Sequence, residues 1–308
     1  MKRKSDAPCA FTTADSWVLL SPIERSIKRK IEAVGTPLKE WNIQINYGIK
    51  TGCNEAFIID EKKRAEILSW CKDETERART AQIIRPILRG RDIKRYGYEW
   101  AGLYLIWIPW HFPLHLDSAI QGASEKAEKA FREQFPAVYS HLFQYKKQLS
   151  SRNQAETGVR YEWYALQRWG ANYADDFAKP KIVWGEISDT TKFSIDFTGE
   201  FVVEATSFLL TGESLEFLIC FLNSPLSEYL FAKIGTTTGV GTVRWKKFKL
   251  EQLFVPQFAD STGFFHGHLT NWLKKKDVES LRSINNKIYA LCGLSDEEIS
   301  FIERASRR

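Results

Sequence analysis

The sequence predicts an α+β fold, in which a mixed β-sheet carries inserted helices and is followed by a helical C-terminal tail. Strand patterns occur in two separated regions, and helical patterns lie between them. After about residue 258 only helical patterns follow, and no strict β-α alternation runs along the chain. We therefore divide the 308 residues into a leader and linker helix (1–40), a mixed-sheet domain (41–257) and a helical tail (258–308).

The first helix has local start and stop signals. Ser21 and Glu24 form a capping box, Pro22 occupies the first helical position, and Gly35 ends the element. Residues 41–49 then alternate between apolar and polar, as a half-buried strand does. Residues 56–59 are expected to be its return strand, across a loop at 50–55.

The remaining elements follow from periodicity and proline positions. We expect helices at 61–70, 73–84, 124–135, 136–149, 214–222 (capped by Ser214) and 226–234, and a last helix that opens with a capping box at Ser295. We expect strands at 103–108, 181–187, 193–197 and 201–205.

Composition excludes several classes of protein. Hydrophobic residues make up 44% of the chain and charged residues 27%, as in ordinary globular proteins. No apolar run reaches the roughly 18 residues of a membrane span, and the first residues show no secretory h-region. The five cysteines form no Cys-x-x-Cys pair, so we expect reduced thiols and a cytoplasmic location.

The charge is concentrated in two segments. Residues 77–95 hold seven Lys and Arg against one Asp, which equals the +6 net charge of the whole chain. Within them, Arg89-Gly90-Arg91-Asp92 is expected to form a tight turn that presents two guanidinium groups. Residues 236–249 combine a Thr- and Gly-rich stretch with four basic residues and no acidic residue. Basic segments with interleaved aromatic residues favour nucleic-acid binding, although each segment alone is also typical of a solvated charged face.

Signatures of catalysis are weak. The spacing of His111 and His115 is interrupted by Pro113, and the other histidines have no supporting ligands, so we expect no metal site. No nucleotide phosphate loop and no Gly-x-Ser-x-Gly elbow occur. We therefore assign no catalytic residue.

Six segments suggest a family by their order along the chain. They are 46–57 (Asn-Tyr-Gly-Ile-Lys-Thr-Gly-Cys-Asn-Glu-Ala-Phe), 85–93 (Arg-Pro-Ile-Leu-Arg-Gly-Arg-Asp-Ile), 179–187 (Lys-Pro-Lys-Ile-Val-Trp-Gly-Glu-Ile), 218–225 (ending in Leu-Asn-Ser-Pro), 244–256 (from Arg-Trp-Lys-Lys to Pro) and 288–298. Together they resemble the TaqI-like C-terminal specificity domain, which occurs in adenine-specific DNA methyltransferases and in fused restriction–modification enzymes.

The resemblance implies a DNA target-recognition domain. The family's enzymes carry an upstream catalytic domain that binds S-adenosylmethionine and has an Asn-Pro-Pro-Tyr motif, and this sequence has neither that motif nor a cofactor loop. We therefore expect no cofactor in this chain, which alone would not be an enzyme. Its expected partners are double-stranded DNA and a catalytic methyltransferase domain in cis or trans, with or without an endonuclease. S-adenosylmethionine would be the cofactor of that domain.

The expected DNA contacts follow from charge and motif position. The phosphate contacts are expected from Lys50, Arg89, Arg91, Lys94, Arg95, Arg244, Lys246 and Lys247. Thr51 and Asn54 lie on a loop that could reach bases. Two other hypotheses remain open at this stage: an RNA-binding or protein-interaction module that uses the same basic faces, and a stand-alone DNA-modifying enzyme.

Overall fold

The computed structural model describes residues 20–306 except 235, 238–242, 259 and 261, with the backbone alone at 236 and 237. Its helices are α1 (Pro22–Val34), α2 (Asn54–Phe57), α3 (Glu61–Ser69), α4 (Glu74–Gln82), α5 (Glu125–Gln134), α6 (Pro136–Phe143), α7 (Lys146–Ser151), α8 (Leu215–Leu222), α9 (Pro225–Ile234), α10 (Lys247–Leu250), α11 (Phe264–Lys275), α12 (Val278–Leu291) and α13 (Asp296–Ser306). Its strands are β1 (Gly35–Pro37), β2 (Ile43–Tyr47), β3 (Ile58–Asp60), β4 (Ile84–Leu88), β5 (Leu103–Ile106), β6 (Lys181–Gly185), β7 (Ile187–Ser188), β8 (Phe193–Asp196), β9 (Val202–Val203), β10 (Ser207–Gly212), β11 (Thr236–Thr237), β12 (Val243–Arg244) and β13 (Phe254–Pro256).

Two four-stranded sheets form the centre of the molecule. The first has the strand order β2-β10-β6-β8, and all of its neighbouring strands are antiparallel. The second has the order β3-β5-β4-β9 and is mixed, because β4 and β9 are parallel. Two smaller sheets complete the fold: β1 pairs with β13, and β12 pairs with β11 on one side and with β7 on the other. The fold is α+β with a mixed sheet, as the sequence predicts.

The first sheet is buried on both faces. Along β6, Ile182 and Trp184 lie in one hydrophobic cluster, whereas Val183 between them lies in the other. On β10, Leu209 and Leu210 divide between the two clusters in the same way. Because successive side chains of a strand point to opposite faces, this sheet separates two cores and contributes side chains to both.

Each core has its own helices. The first cluster contains buried residues of α1, α8, α9, α11, α12 and α13. The helices after residue 258 pack on α8 and α9, and so they belong to this core rather than standing apart from it. The second cluster contains buried residues of α2, α3, α5 and α6 together with the second sheet. The division at residues 40 and 258 remains a prediction.

Most predictions of local elements are confirmed. Helix α1 begins with the expected capping box of Ser21 and Glu24. The same motif opens α13, where Ser295 and Glu298 exchange hydrogen bonds. Ser214 is an exception, since it lies in the left-handed region with φ 56° and its side chain accepts no capping hydrogen bond.

The predicted return strand at 56–59 is wrong. Residues 54–57 form α2, which buries Ala56 and Phe57, and the strand that follows, β3, pairs with β5 instead of β2. The true partner of β2 is β10, more than 160 residues further along the chain. The predicted helix at 136–149 is likewise two helices, α6 and α7.

Candidate nucleic-acid interface

An open groove of about 960 Å³ lies where the two sheets meet. Six segments line it: residues from the start of α2 to the start of β3, the turn after β4, the start of β5, the residues around β7, the residues after β9, and β12. Of the ten predicted contact residues, five line this groove: Asn54, Arg89, Arg91, Lys94 and Arg244. The groove is therefore the place where the structure brings the predicted residues together.

The arginine turn forms one wall of the groove. Residues Gly90–Asp92 form a 3-10 turn directly after β4, as the Arg-Gly-Arg pattern predicts. A Cβ built on Gly185, at the end of β6, would lie 3.4 Å from the Cα of Gly90. The turn therefore packs against the first sheet through two glycines, and its arginines are fixed relative to β6.

The two guanidinium groups of this turn differ in their freedom. Asp92 accepts hydrogen bonds from Arg89 Nε at 3.0 Å and from Arg89 Nη2 at 2.8 Å. Burial would raise the pKa of Asp92, but the hydrogen bonds from Arg89 outweigh it and lower that pKa. Arg91 is exposed, and its guanidinium makes no hydrogen bond or ion pair with the described residues. Arg91 is thus the cation of this turn that is free for a ligand.

The basic segment at 77–95 does not form one surface. Arg85 is half-buried, donates to the carbonyl oxygen of Phe177 at 3.2 Å and stacks over Trp107. Arg79 donates to a backbone carbonyl at the end of α5. Arg95 donates to the carbonyl oxygen of Asn223 and does not line the groove. The run of charge in the sequence is therefore divided between structural contacts and the groove.

Lys94 occupies the rim of the groove. Its Nζ donates to the carbonyl oxygen of Arg91 at 3.1 Å and pairs with Glu99 at 3.3 Å. Glu99 is strongly exposed, so this pair lies in solvent and is weak. Phosphate oxygens can therefore replace Glu99 as the partner of Lys94 at small cost.

The loop that connects β2 to α2 holds Asn54 in place. Thr51 is buried, and its hydroxyl donates to Asn54 Oδ1 at 2.5 Å.

The same loop is supported by Arg152. Gly52 has φ +76°, and a Cβ there would lie 2.9 Å from the Cδ of Arg152. Arg152 itself donates to the carbonyl oxygens of Thr51, Trp163 and Ala165, and burial lowers its pKa to about 10. Thr51 thus orients the loop, and the exposed Asn54 faces the groove. Lys50, also exposed, lies outside the groove lining.

Of the basic segment at 244–247, only Arg244 lines the groove. Arg244 in β12 pairs with Glu186 at 2.9 Å, beside the neighbouring strand β7. Lys247 donates to the carbonyl oxygen of Ile45 at 2.7 Å, which links α10 to the edge strand β2. Lys246 is half-exposed at the start of α10 and does not line the groove. The Thr- and Gly-rich stretch at 238–242 lies outside the described residues.

Sequence reasoning missed the acidic residues of the groove. Four carboxylates line it beside five cations: Glu55, Glu186, Asp189 and Glu204. Glu186 lies within the Trp-Gly-Glu segment at 184–186, which was the one signal that could have identified it. Glu204 has no such signal, because its partners lie far away in the sequence. Lys192, also missed, pairs with Asp189 at 2.6 Å.

Features outside the groove have structural explanations. The buried Glu162 accepts hydrogen bonds from the backbone and Nδ1 of His111 and from the backbone of Ser124. The side chain of Asn223, in the Leu-Asn-Ser segment, donates to the carbonyl oxygen of Phe193 and accepts from its backbone N–H.

Within the described part of the chain, no helix is long and apolar enough to cross a membrane.

Comparisons with known proteins identify the family and the fold. A family model described as the TaqI-like C-terminal specificity domain matches residues 85–255, more than half of the chain. The type II methyltransferase M.PaeR7I of Pseudomonas aeruginosa is 22% identical over 289 residues, which are 93% of this chain and 44% of that protein. The chain therefore spans less than half the length of this relative.

Two solved structures share the fold. The type IIL restriction–modification enzyme MmeI, in complex with DNA, has a TM-score of 0.56 at 10% identity, covering 88% of this chain and 36% of the other. The type IIG restriction endonuclease BpuSI has a TM-score of 0.53 at 14% identity, covering 93% and 32%. The fold and the family match define a class, that of the DNA target-recognition domains of restriction–modification enzymes. Within this class, the chain belongs to the TaqI-like C-terminal specificity domain family.

Proposed function

We propose that this chain recognises duplex DNA in the groove between its two sheets. The observation that carries the proposal is that Asn54, Arg89, Arg91, Lys94 and Arg244 come from three distant segments and line one groove. Guanidinium, ammonium and amide groups are the side chains that bind phosphates and base edges. A groove that collects them suits a nucleic-acid ligand.

The contacts divide by their freedom. Arg91 and Lys94 are free or weakly paired, so they bind phosphate oxygens. Lys50, Arg95, Lys246 and Lys247 lie outside the groove lining. Arg95 and Lys247 already donate to backbone carbonyl oxygens, so of these four we retain Lys50 and Lys246 as further phosphate contacts along the duplex. Asn54 is fixed by Thr51 and is suited to a base edge.

A catalytic domain completes the proposed activity. Because the chain spans 44% of a type II methyltransferase, we propose that it directs an adenine-specific methyltransferase domain, in cis or in trans, with or without an endonuclease. That domain would bind S-adenosylmethionine and act on a flipped adenine while this chain supports the duplex. A complex that acts on cellular DNA in this way would be located in the cytoplasm.

Replacing Arg91 tests the proposal. Arg91→Ala removes an exposed guanidinium without a partner among the described residues, so we expect the fold to be unchanged. Affinity for cognate and random duplexes should fall alike, and the log–log salt slope should decrease by about one unit. The measurement is a fluorescence titration of labelled duplexes at several salt concentrations.

The matched control is Arg29→Ala. Arg29 is an exposed arginine on α1 that does not line the groove. This variant should retain both the affinity and the salt slope of the unmodified chain. If both variants lose the same affinity for DNA, binding depends on net charge alone, and the groove is not the site. Preferred binding of structured RNA over duplex DNA would favour the RNA-binding alternative.

A further inference from the structure

The charges that line the groove are nearly balanced. Five cations stand beside four carboxylates, and Arg244 and Lys192 are already paired with Glu186 and Asp189. A surface that bound phosphates alone would have no use for carboxylates that pair with no cation, because like charges repel at close range. Carboxylates in such a groove gain a favourable contact only from hydrogen-bond donors. On duplex DNA, the major-groove donors are the amino groups of cytosine and adenine.

Glu204 differs from Glu186 and Asp189 because its carboxylate is held by a hydroxyl and a backbone N–H and forms no ion pair among the described residues. Its backbone N–H donates to the carbonyl oxygen of Leu88, and its own carbonyl oxygen accepts from Ser207. Its Oε1 accepts hydrogen bonds from the Thr206 hydroxyl at 2.9 Å and from the Gly90 backbone at 3.4 Å. The backbone of Glu204 is therefore held in place, and its carboxylate is oriented by one hydroxyl and one long backbone contact.

The second oxygen of Glu204 is available. No described residue donates a hydrogen bond to Oε2, and the residue lines the groove between the arginine turn and β7. The Glu204 carboxylate accepts hydrogen bonds, and the nearby Arg89 guanidinium donates them. A base edge, which carries both donors and acceptors, can match such a pair, whereas a phosphate carries acceptors only. A preorganised group also discriminates better than a flexible one, because it cannot move to suit the wrong partner.

We propose that Glu204 is a specificity-determining residue whose Oε2 accepts a hydrogen bond from the exocyclic amino group of a cytosine or adenine in the target. This inference rests on the proposed function and adds to it one acidic position that reads a base. Glu204 sets which base is accepted, and the cations set how tightly any duplex is held.

The test is Glu204→Gln in the full chain. Glutamine keeps the shape and an acceptor for Thr206 and Gly90, so the turn is retained, and thermal unfolding checks this. Duplexes are selected from a randomised library, and their base preferences are compared with those of the unmodified chain. We expect discrimination at one position to fall roughly 5- to 150-fold. Affinity for random duplexes should stay the same or rise, because a negative charge has been removed.

Deleting the amino group from the DNA gives the second half of a double-mutant cycle between Glu204 and the base. At the affected position, cytosine is replaced by 2-pyrimidinone or adenine by purine, since each analogue lacks only the exocyclic amino group. The unmodified chain should lose affinity for this duplex, whereas Glu204→Gln should be nearly insensitive to the change. Equal losses in both proteins would overturn the proposal.

Glu133→Gln is the matched control. Glu133 is an exposed residue of α5 that does not line the groove, so this variant removes the same charge away from the proposed site. It should keep the base preferences of the unmodified chain. Identical preferences in all three proteins would overturn the role of Glu204 while leaving DNA recognition in place. An unmodified chain that binds no duplex would overturn the proposed function as well.

Discussion

Lys181 and Asp196 form a buried ion pair that joins β6 to the edge strand β8 of the first sheet. Their side chains are 0% and 1% exposed, and Nζ and Oδ2 are 2.6 Å apart. Asp196 also accepts from the backbones of Gly199 and Phe201, and so it fixes the turn before β9. Burial would raise the pKa of Asp196, but the hydrogen bond and charge of Lys181 outweigh it and lower that pKa. The carboxylate therefore stabilises the fold above its ordinary pKa, and this contribution is lost as the pH falls.

Asp196→Asn should strongly destabilise the protein. The substitution leaves the Lys181 ammonium buried without a countercharge, which costs about 3–5 kcal/mol of unfolding free energy. Urea unfolding at pH 7 measures this loss. The control, Asp189→Asn, breaks the exposed pair with Lys192 and should cost at most about 1 kcal/mol. Similar losses in the two variants would contradict the structural role of the buried pair.

At the residue scale, charge patterns identify only part of the site. They find Arg91 and Arg244, because excess charge is visible in a short window of sequence. They miss Glu204, because its hydrogen bond to Gly90 crosses 114 positions, and the sequence around it carries no signal. They also treat Arg85 like its neighbours, although the fold half-buries it.

At the scale of elements, α1 shows how local signals and distant contacts combine. The capping box at its start depends on four consecutive residues and is legible in the sequence. Two ion pairs then tie the helix to the rest of the molecule: Lys30 to Glu298 in α13 at 2.7 Å, and Glu24 to Lys233 in α9 at 2.6 Å. These pairs join residues more than 200 positions apart, so no local pattern predicts them. The same limit explains the misassigned hairpin, since the partner of β2 is β10.

The pair at Glu298 predicts a pH dependence. Burial opposes ionisation of Glu298, but the hydrogen bonds from Lys30 and Ser295 outweigh it and lower its pKa to about 2. Its stabilising contribution is therefore complete above about pH 4.5, the ordinary value, and is lost as the pH falls toward 2. Glu298→Gln should lose roughly 1–2 kcal/mol at pH 7, less than the full shift implies, because Lys30 is 32% exposed.

Unfolding at pH 7 and pH 3 measures the effect of Glu298→Gln. The unmodified chain should lose more stability than the variant over this interval. Glu279→Gln breaks a pair whose two side chains are each 66% exposed, and it should follow the unmodified chain at both pH values. Parallel profiles for Glu298→Gln and the unmodified chain would contradict the assigned pKa.

At the scale of the whole molecule, one sheet connects two cores. The sequence predicts the α+β class, because periodicity reports the type of each element. It does not reveal that β6 and β10 serve both cores, because a strand buried on both faces shows no alternation between apolar and polar residues. The order of the strands was also inaccessible, since pairing partners lie far apart.

The shared sheet predicts that the two cores unfold together. Leu209 and Leu210 are adjacent on β10 and fully buried, but each faces a different core. Leu209→Ala and Leu210→Ala should each cost about 2–5 kcal/mol and shift the same single transition. Tryptophan fluorescence and far-UV circular dichroism report that transition. If either variant separates it into two steps, the cores are independent.

The construction of the groove limits how a new target could be acquired. Each wall is anchored in a different part of the chain, and the arginine turn rests glycine against glycine on the end of β6. If the arginine turn alone were copied into another protein, it would lose the contact with β6 that orients its backbone. We therefore expect that exchanging the proposed recognition groove between homologues requires the sheets that carry its turns, whereas single side chains on those turns can be replaced one at a time. We expect new preferences to arise in this chain more readily by point substitution on this frame than by exchange of one segment.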